Sequence, residues 1–221
     1  MVSSDPFAAP PKIKPVPSGA QVTHDEFVVE RGWAELTKVE ASGLAFDLTA
    51  CDELELSGSS FVNVEFGRAE TTEITVADCR FENCDLSARR FSSVRRSTFS
   101  NCKLDGTDFS TGSLVDVEFD NCSLRLTNMR MAELSRIAFR ECQVDGLDLF
   151  DATIADIDFA GSKIHELGAD RISAERVDLR SATAISFATI TRLDGFRITD
   201  AQLPLLMHAL AGSVGLSVDQ G

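Results

Sequence analysis

Residues 99–124 read FSNCKLDGTDFSTGSLVDVEFDNCSL, with Phe99, Leu104, Phe109, Leu114, Phe119 and Leu124 standing five apart. A helix returns a side chain to one face about every 3.6 residues and a strand every second residue, so a period of five belongs to neither element alone. The column runs on through Met129, Leu134, Phe139, Val144, Leu149, Ile154, Phe159 and Ile164. Upstream it resumes in another phase as Leu56, Phe61, Phe66, Val76, Phe81, Leu86 and Phe91. Two residues before most of these stand small or medium side chains such as Cys102, Thr107, Gly112, Val117, Cys122, Thr127, Ala132, Ile137 and Cys142. Each unit of five therefore turns two side chains inward and three outward, and four units close a square coil of 20 residues.

Residue type recurs at that period. Phe99, Phe119, Phe139 and Phe159 form one series, Leu104, Leu124, Val144 and Ile164 a second, and Phe109, Met129 and Leu149 a third. Like side chains stacked coil on coil fill the axis of a solenoid. Central positions from Leu36 to Phe91 number 12 and from Phe99 to Thr189 number 19, nearly eight coils of four. At about 4.8 Å per coil the rod is about 38 Å long.

Between Phe91 and Phe99 the step is eight residues instead of five. Read as a three-residue insertion near Val94-Arg95-Arg96, it places Cys79 under Cys102, Cys122 and Cys142 and bulges outward. Arg89, Arg90, Arg95 and Arg96 make this the basic cluster of the chain.

Cys84-Asp85-Leu86-Ser87-Ala88, Thr107-Asp108-Phe109-Ser110-Thr111 and Ala132-Glu133-Leu134-Ser135-Arg136 match a loose A-(D/N)-L-x-x consensus. The chain thus resembles the pentapeptide-repeat family from about Ala34 to Leu179. The resemblance implies an all-β solenoid, a right-handed quadrilateral β-helix. After Ile164 small residues occupy large positions at Ala169, Ala174 and Ala184, and Leu167, Ile172 and Phe187 at the neighbouring inward positions compensate by exchanging large for small.

The ends read differently. Residues 1–26 hold Pro6, Pro10, Pro11, Pro15 and Pro17 without an apolar block, which predicts a flexible tail and not a signal peptide. Residues 27–199 are the β-helix with its N-terminal cap, Trp33 lying over the first coil. In residues 200–221, Asp200 is a candidate N-cap, and Leu203, Leu206, Met207 and Leu210 follow at helical spacing. Open β-helix ends expose unpaired strand edges, so a capping helix is expected there. Leu205, Ala209 and Val214 lie off that stripe, and the gyrase-interacting, quinolone-resistance type of pentapeptide protein, which the chain resembles, pairs through this end. The resemblance therefore implies a homodimer.

Composition excludes several functions. The chain has 221 residues, 35 acids against 21 bases and a formal charge of −14. Such a chain gains nothing from counterion release, so direct nucleic-acid binding is not expected. No 18-residue apolar run is present, so no membrane span is expected, and a cytoplasmic location follows. The six Cys occupy inward slots with no C-x-x-C, and reduced, buried thiols are expected in an intracellular chain. His24, His165 and His208 are dispersed, and neither a triad nor a phosphate-binding loop is present. No catalytic residue, metal or cofactor is expected.

Charge is unevenly spread. Residues 41–88 carry 10 acids and 2 bases, net −8, whereas residues 99–199 carry 17 acids and 11 bases, net −6. In the second region residues 20 apart alternate in sign, as in Asp116, Arg136, Asp156 and Arg176, and read as stabilising ladders. In the first region Glu53 lies below Glu73 and Glu65 below Asp85, like on like. With Asp108, Asp148, Glu118, Asp158 and Asp178, these form a candidate acidic partner-binding face. The resemblance implies a DNA mimic that occupies the duplex-binding surface of a type II topoisomerase, DNA gyrase. The alternative is a protein-interaction scaffold with no topoisomerase role, docking through the Arg89–Arg96 belt.

Overall fold

The computed structural model describes residues 8–13, 15–16, 19–23, 27–67, 72–190, 192–213 and 215–216. Pro6, Pro17, His24 and Val214, and the side chains of Ala184 and His208, lie outside them. The chain winds into a β-solenoid of about eight turns, its short strands paired in parallel rung on rung, with a C-terminal helix Leu203–Ser213. Parallel pairing at fixed register is what a strict sequence period dictates. Leu114 pairs with Leu134 and Leu134 with Ile154, while Phe119 pairs with Phe139.

The corners explain why the unit is five. Nearly every fifth residue has a positive φ, as in Asn101, Thr111, Asp116, Asn121, Leu126, Met131, Arg136 and Glu141, with φ between 50° and 59°. The left-handed conformation makes the tight turn from one face to the next. It costs a residue with a Cβ about 1–2 kcal/mol, least for Asn and Asp. Gly106 and Gly146 take such corners at φ 67° and 73°.

Inside, the Phe side chains form one continuous stack. Ring centroids from Phe61 through Phe81, Phe99, Phe119 and Phe139 to Phe159 are separated by 5.1, 4.8, 5.1, 5.1 and 4.7 Å, all near parallel. This stack crosses the eight-residue step, and its register corrects the sequence reading there. Phe99 pairs with Phe81, 18 residues below it, and Val94 pairs with Val76. The chain has lost two residues from one coil, so that Val94 follows Phe91 after three, and nothing is inserted. Arg90–Ser100 is one continuous strand with a register shift between Phe91 and Ser93.

The cysteine column moves with it. Cys102 lies above Cys84, because Asp85 bridges to Lys103, and the column runs Cys84, Cys102, Cys122, Cys142. Cys79 stands in a different column, where the next rung supplies Ser97, whose Oγ accepts the Cys79 N–H at 3.0 Å. All six thiols are free and buried. Burial pushes the Cys79 thiol up to about 12.

Toward the C-terminus the exchange of large for small is seen in the packing. Leu167 and Ala169 are both fully buried, and Leu167 pairs with Leu147 below and Phe187 above. The final coil is closed by a buried Gln202, whose Nε2 donates to the carbonyls of Leu179 and Ala182 at 2.8 and 3.0 Å. Its Oε1 accepts the Thr199 N–H at 2.8 Å, so Thr199, not Asp200, starts the helical segment. The helix packs on the last coil through buried Leu206 and partly buried Ala209 and Leu210, while Leu203 and Met207 of the expected stripe are exposed. A turn Asp200–Gln202 of 3-10 geometry precedes the helix, and the face that meets the core keeps Leu206 and Leu210 of the stripe and takes Ala209 in place of Leu203 and Met207.

At the other end Phe27 packs on Phe46 with centroids 4.8 Å apart, whereas Trp33 points outward from its strand and is 41 % exposed. Trp33 alternates with inward Ala34, so the strand period places it outside. The described part of the N-terminal segment lies along the rod rather than free of it. Ala8 is buried, and Ala20–Gln21 pair with Val39–Glu40 as an extra rung.

Removing one ring from the Phe stack leaves a cavity that rigid neighbouring rungs cannot close. Phe119→Ala is expected to cost about 3–5 kcal/mol in urea unfolding, against less than about 1 kcal/mol for the surface change Arg95→Ala.

Candidate functional site

The outward positions fall into straight columns, because each rung repeats the conformation of the one below. The nine acids singled out by sequence occupy three of them. One runs Glu53, Glu73, Arg90, Asp108, Asn128, Asp148. A second runs Glu65, Asp85, Lys103. The third runs Glu118, Ala138, Asp158, Asp178. The nine therefore do not form one face.

They also divide by environment. Glu53, Glu65, Glu73 and Asp85 are exposed, whereas Asp108, Asp148, Glu118, Asp158 and Asp178 are half-buried. The second group is largely neutralised. Arg130 reaches Asp148 at 2.8 Å, Arg140 reaches Glu118 at 3.1 Å, and Arg180 reaches Asp178 at 2.7 Å. Asp108 accepts from Asn128 Nδ2 at 3.0 Å. Burial, and then the neighbouring Asp178, push the Asp158 carboxyl above its ordinary range. These five are parts of the wall more than of a displayed surface.

The first group opens onto a cluster that sequence reasoning did not assemble. The strands Trp33–Thr37, Glu53–Ser57 and Glu73–Ala77 lie side by side in register, pairing Glu35 with Glu55 and Glu53 with Glu73. Glu35, Glu53, Glu55 and Glu73 thus project from one face within three rungs, about 4.8 Å apart along the rod. Glu73 meets Arg90 at 3.4 Å. Among the described residues Glu35, Glu53, Glu55 and Glu65 have no ion-pair partner. The alternation in WAELT and ELELS was the signal that placed Glu35 and Glu55 outward beside Glu53.

The basic belt is not a free surface cluster, for only Arg95 of the four is both exposed and outside the ion pairs of the described residues. Arg89 is buried, Arg90 pairs with Glu73, and Arg96 grips Asp78 through both Nε and Nη2 at 2.6 Å. Arg96 sits in a corner ladder that runs Asp78, Arg96, Asp116, Arg136, Asp156, Arg176. In it each Arg binds the Asp one rung below through both oxygens: Arg136 to Asp116 at 2.6 and 2.8 Å, Arg176 to Asp156 likewise. The Arg136 guanidinium holds the Asp116 carboxyl below its ordinary value, and Arg176 does the same for Asp156.

Two more features of the surface escaped the sequence. Leu126 and Met131 occupy left-handed corners with their side chains outside, 77 % and 51 % exposed. Phe150 lies under the Arg130 guanidinium, 4.2 Å from ring centroid to Cζ. Among the described residues no cluster of His, Cys, Asp and Glu is arranged to hold a metal ion. No helix among them is long and apolar enough to cross a membrane.

The molecule is a β-solenoid wound on a five-residue repeat, and over part of its length it is similar to the pentapeptide-repeat family. Residues 74–127 and 92–168 match the family described as pentapeptide repeat region. The fold is similar to that of a trypsin-treated variant of QnrB1, a plasmid-mediated fluoroquinolone resistance protein, at TM-score 0.38 and 19% identity, covering 85% of this chain and 96% of that one. Full-length QnrB1 overlaps at TM-score 0.30 and 19% identity, over 80% of this chain and 99% of the other. HetL, a pentapeptide repeat protein involved in heterocyst differentiation regulation from the cyanobacterium Nostoc sp. strain PCC 7120, overlaps at TM-score 0.34 and 17% identity, over 75% and 83%. No curated protein matches the sequence.

Leaving Asp116 under the N-terminal segment without its guanidinium is expected to cost about 1–3 kcal/mol in Arg136→Ala at neutral pH. The folded-state pKa of Asp116 is depressed, so this contribution is present above the unfolded value near about 3.9 and lost as pH falls through the folded value. Urea unfolding of wild type and variant at neutral pH and at about pH 3 checks it: the gap narrows at the lower pH.

Proposed function

We propose that this chain is a non-catalytic protein that binds a protein partner through the exposed acids of its first coils. The partner proposed is a type II topoisomerase, DNA gyrase, whose duplex-binding surface the rod would occupy as a partial DNA mimic. The observation that carries this reading is the like-on-like stacking of Glu35 with Glu55 and Glu53 with Glu73, with a second column formed by Glu65 under Asp85. Like charges on adjacent strands cost about 0.2–1 kcal/mol per pair, and selection for folding alone favours the alternating ladders found in the later coils. A surface kept acidic against that cost fits a partner that is basic.

Mimicry is partial in density. A rod of about 38 Å corresponds to duplex carrying about 22 charges, against a net charge of −14. The arginine belt offers the scaffold reading no support, since three of its four residues are buried or paired.

The test is a gyrase supercoiling assay with the purified chain titrated in, with and without a fluoroquinolone. Inhibition or drug protection is expected for the wild type and is expected to disappear when Glu53, Glu65, Glu73 and Asp85 become Gln or Asn. Unfolding of that variant should show stability within about 1 kcal/mol of the wild type, since the repulsion relieved between stacked acids is set against the lost exposed pairs of Glu73 with Arg90 and Asp85 with Lys103. Absence of any effect on gyrase at about 50 μM, a concentration corresponding to roughly 6 kcal/mol of binding, overturns the reading.

The C-terminal helix supports a homodimer as part of the same proposal. Leu205 and Met207 are 53 % and 60 % exposed beside exposed Leu203 and Leu216, an apolar group that a soluble surface does not need. Leu205→Glu with Met207→Glu is expected to shift the chain from dimer to monomer in sedimentation velocity while leaving its circular dichroism unchanged.

A further inference from the structure

The N-terminal segment Ala8–Ile13 lies across the corner ladder in a manner that repeats. The Ala9 N–H donates to Asp156 Oδ1 at 3.0 Å, and the Lys12 N–H donates to Asp116 Oδ1 at 2.8 Å. In both cases the accepting oxygen is the one that also takes the Arg Nε. The same recognition unit is therefore used twice, by residues three apart on the segment and 40 apart on the solenoid.

The two spacings agree for a physical reason. Between the donors stand Pro10 and Pro11. Proline fixes its own φ, and the residue before a proline is driven to extended backbone, so Ala9-Pro10-Pro11 is preset as polyproline II. That helix advances about 3.1 Å per residue with three residues per turn, so donors three apart point the same way and lie about 9.3 Å apart. Asp116 and Asp156 stand two rungs apart, about 9.6 Å. The intervening rung holds Arg136, which accepts nothing, just as the two prolines between the donors donate nothing. Asp116 and Asp156 are only 7 % and 6 % exposed, covered by the segment.

We propose that the Asp–Arg corner ladder is a receptor for polyproline II segments, of which residues 8–13 are the resident occupant in cis. The ligand class is a proline-rich peptide of the form x-Pro-Pro-(Lys or Arg), with N–H groups every third residue and a cation beside Asp116. The alternation of Asp and Arg, which serves the fold as an ion-pair ladder, sets the acceptors at twice the rung spacing and so selects a ligand with a period of three. Beyond Lys12 the next residue in that series is Pro15, which has no N–H, and the segment leaves the ladder. There Ile13, Pro15 and Val16 roof a cleft of about 630 Å³ over Glu40, Arg80 and Glu118. A partner's proline-rich segment would compete with the resident for the same two carboxylates.

The test uses the full chain with its own segment loosened by Pro10→Gly and Pro11→Gly, at positions exposed and half-buried outside the core cluster. The probe is the fluorescein-labelled peptide Ala-Ala-Pro-Pro-Lys-Ile, read by polarisation. The loosened chain is expected to bind it at least ten-fold more tightly than the wild type, whose resident segment competes at high effective concentration. A peptide N-methylated at the positions of Ala9 and Lys12 keeps its shape, lacks both donors, and is expected not to bind. Equal binding of the two peptides, or no binding of either at about 1 mM, overturns the proposal.

Discussion

A backbone that must turn a corner every five residues, and hydrogen-bond to its own earlier pass while doing so, controls this molecule. The corner requires a left-handed residue, and the parallel ladder requires every rung to repeat the corners of the last. Together they lock the register of interior and exterior alike. The Phe stack from Phe61 to Phe159 is a consequence: once one ring is placed, the ring above it has one position. The outer columns follow from the same lock, so whatever charge pattern is written at a period of 20 becomes a straight line on the surface.

That constraint also explains how the molecule absorbs an irregularity. The coil that lacks two residues closes by drawing Phe91 and Val94 together through a shift in strand register, and the rungs on either side keep their pairing. Shortening at a corner is tolerated because the stacked Phe81 and Phe99 retain their contact, with centroids 4.8 Å apart. The two arginines drawn into the adjoining strand are then met by acids of the rung below, Arg90 by Glu73 and Arg96 by Asp78.

The surface is divided along the rod axis. In the later coils acids and bases alternate and satisfy one another, and the surface is bound up in structure. In the first coils acids lie on acids across neighbouring strands, and among the described residues Glu35, Glu53, Glu55 and Glu65 face water without an ion-pair partner. The rod therefore has one largely paired length and one charged length, and the exposed apolar side chains Leu203, Leu205 and Met207 lie at the end away from the charged coils. The ladder beneath the N-terminal segment differs from both, since its carboxylates serve the fold and a peptide backbone at once.

Period, coil size, the buried character of the cysteines and the alternating ladders were legible in the sequence, because a five-residue repeat admits one way of stacking and each inward position is named by its side chain. The step at Phe91 was not. Insertion of three and deletion of two leave the same count of residues, and they are told apart by which columns the flanking side chains join: Cys102 over Cys84 and not over Cys79. Nor did the sequence place Trp33 outward or assemble Glu35 and Glu55 with Glu53, since those depend on where strands begin relative to the corner. Which acids are exposed, which are gripped by arginine, and where residues 8–13 lie were decided by tertiary structure alone. Contacts such as Ala9 with Asp156 join positions 147 apart, and a donor without a side chain signature leaves no trace in the sequence that its acceptor has been found.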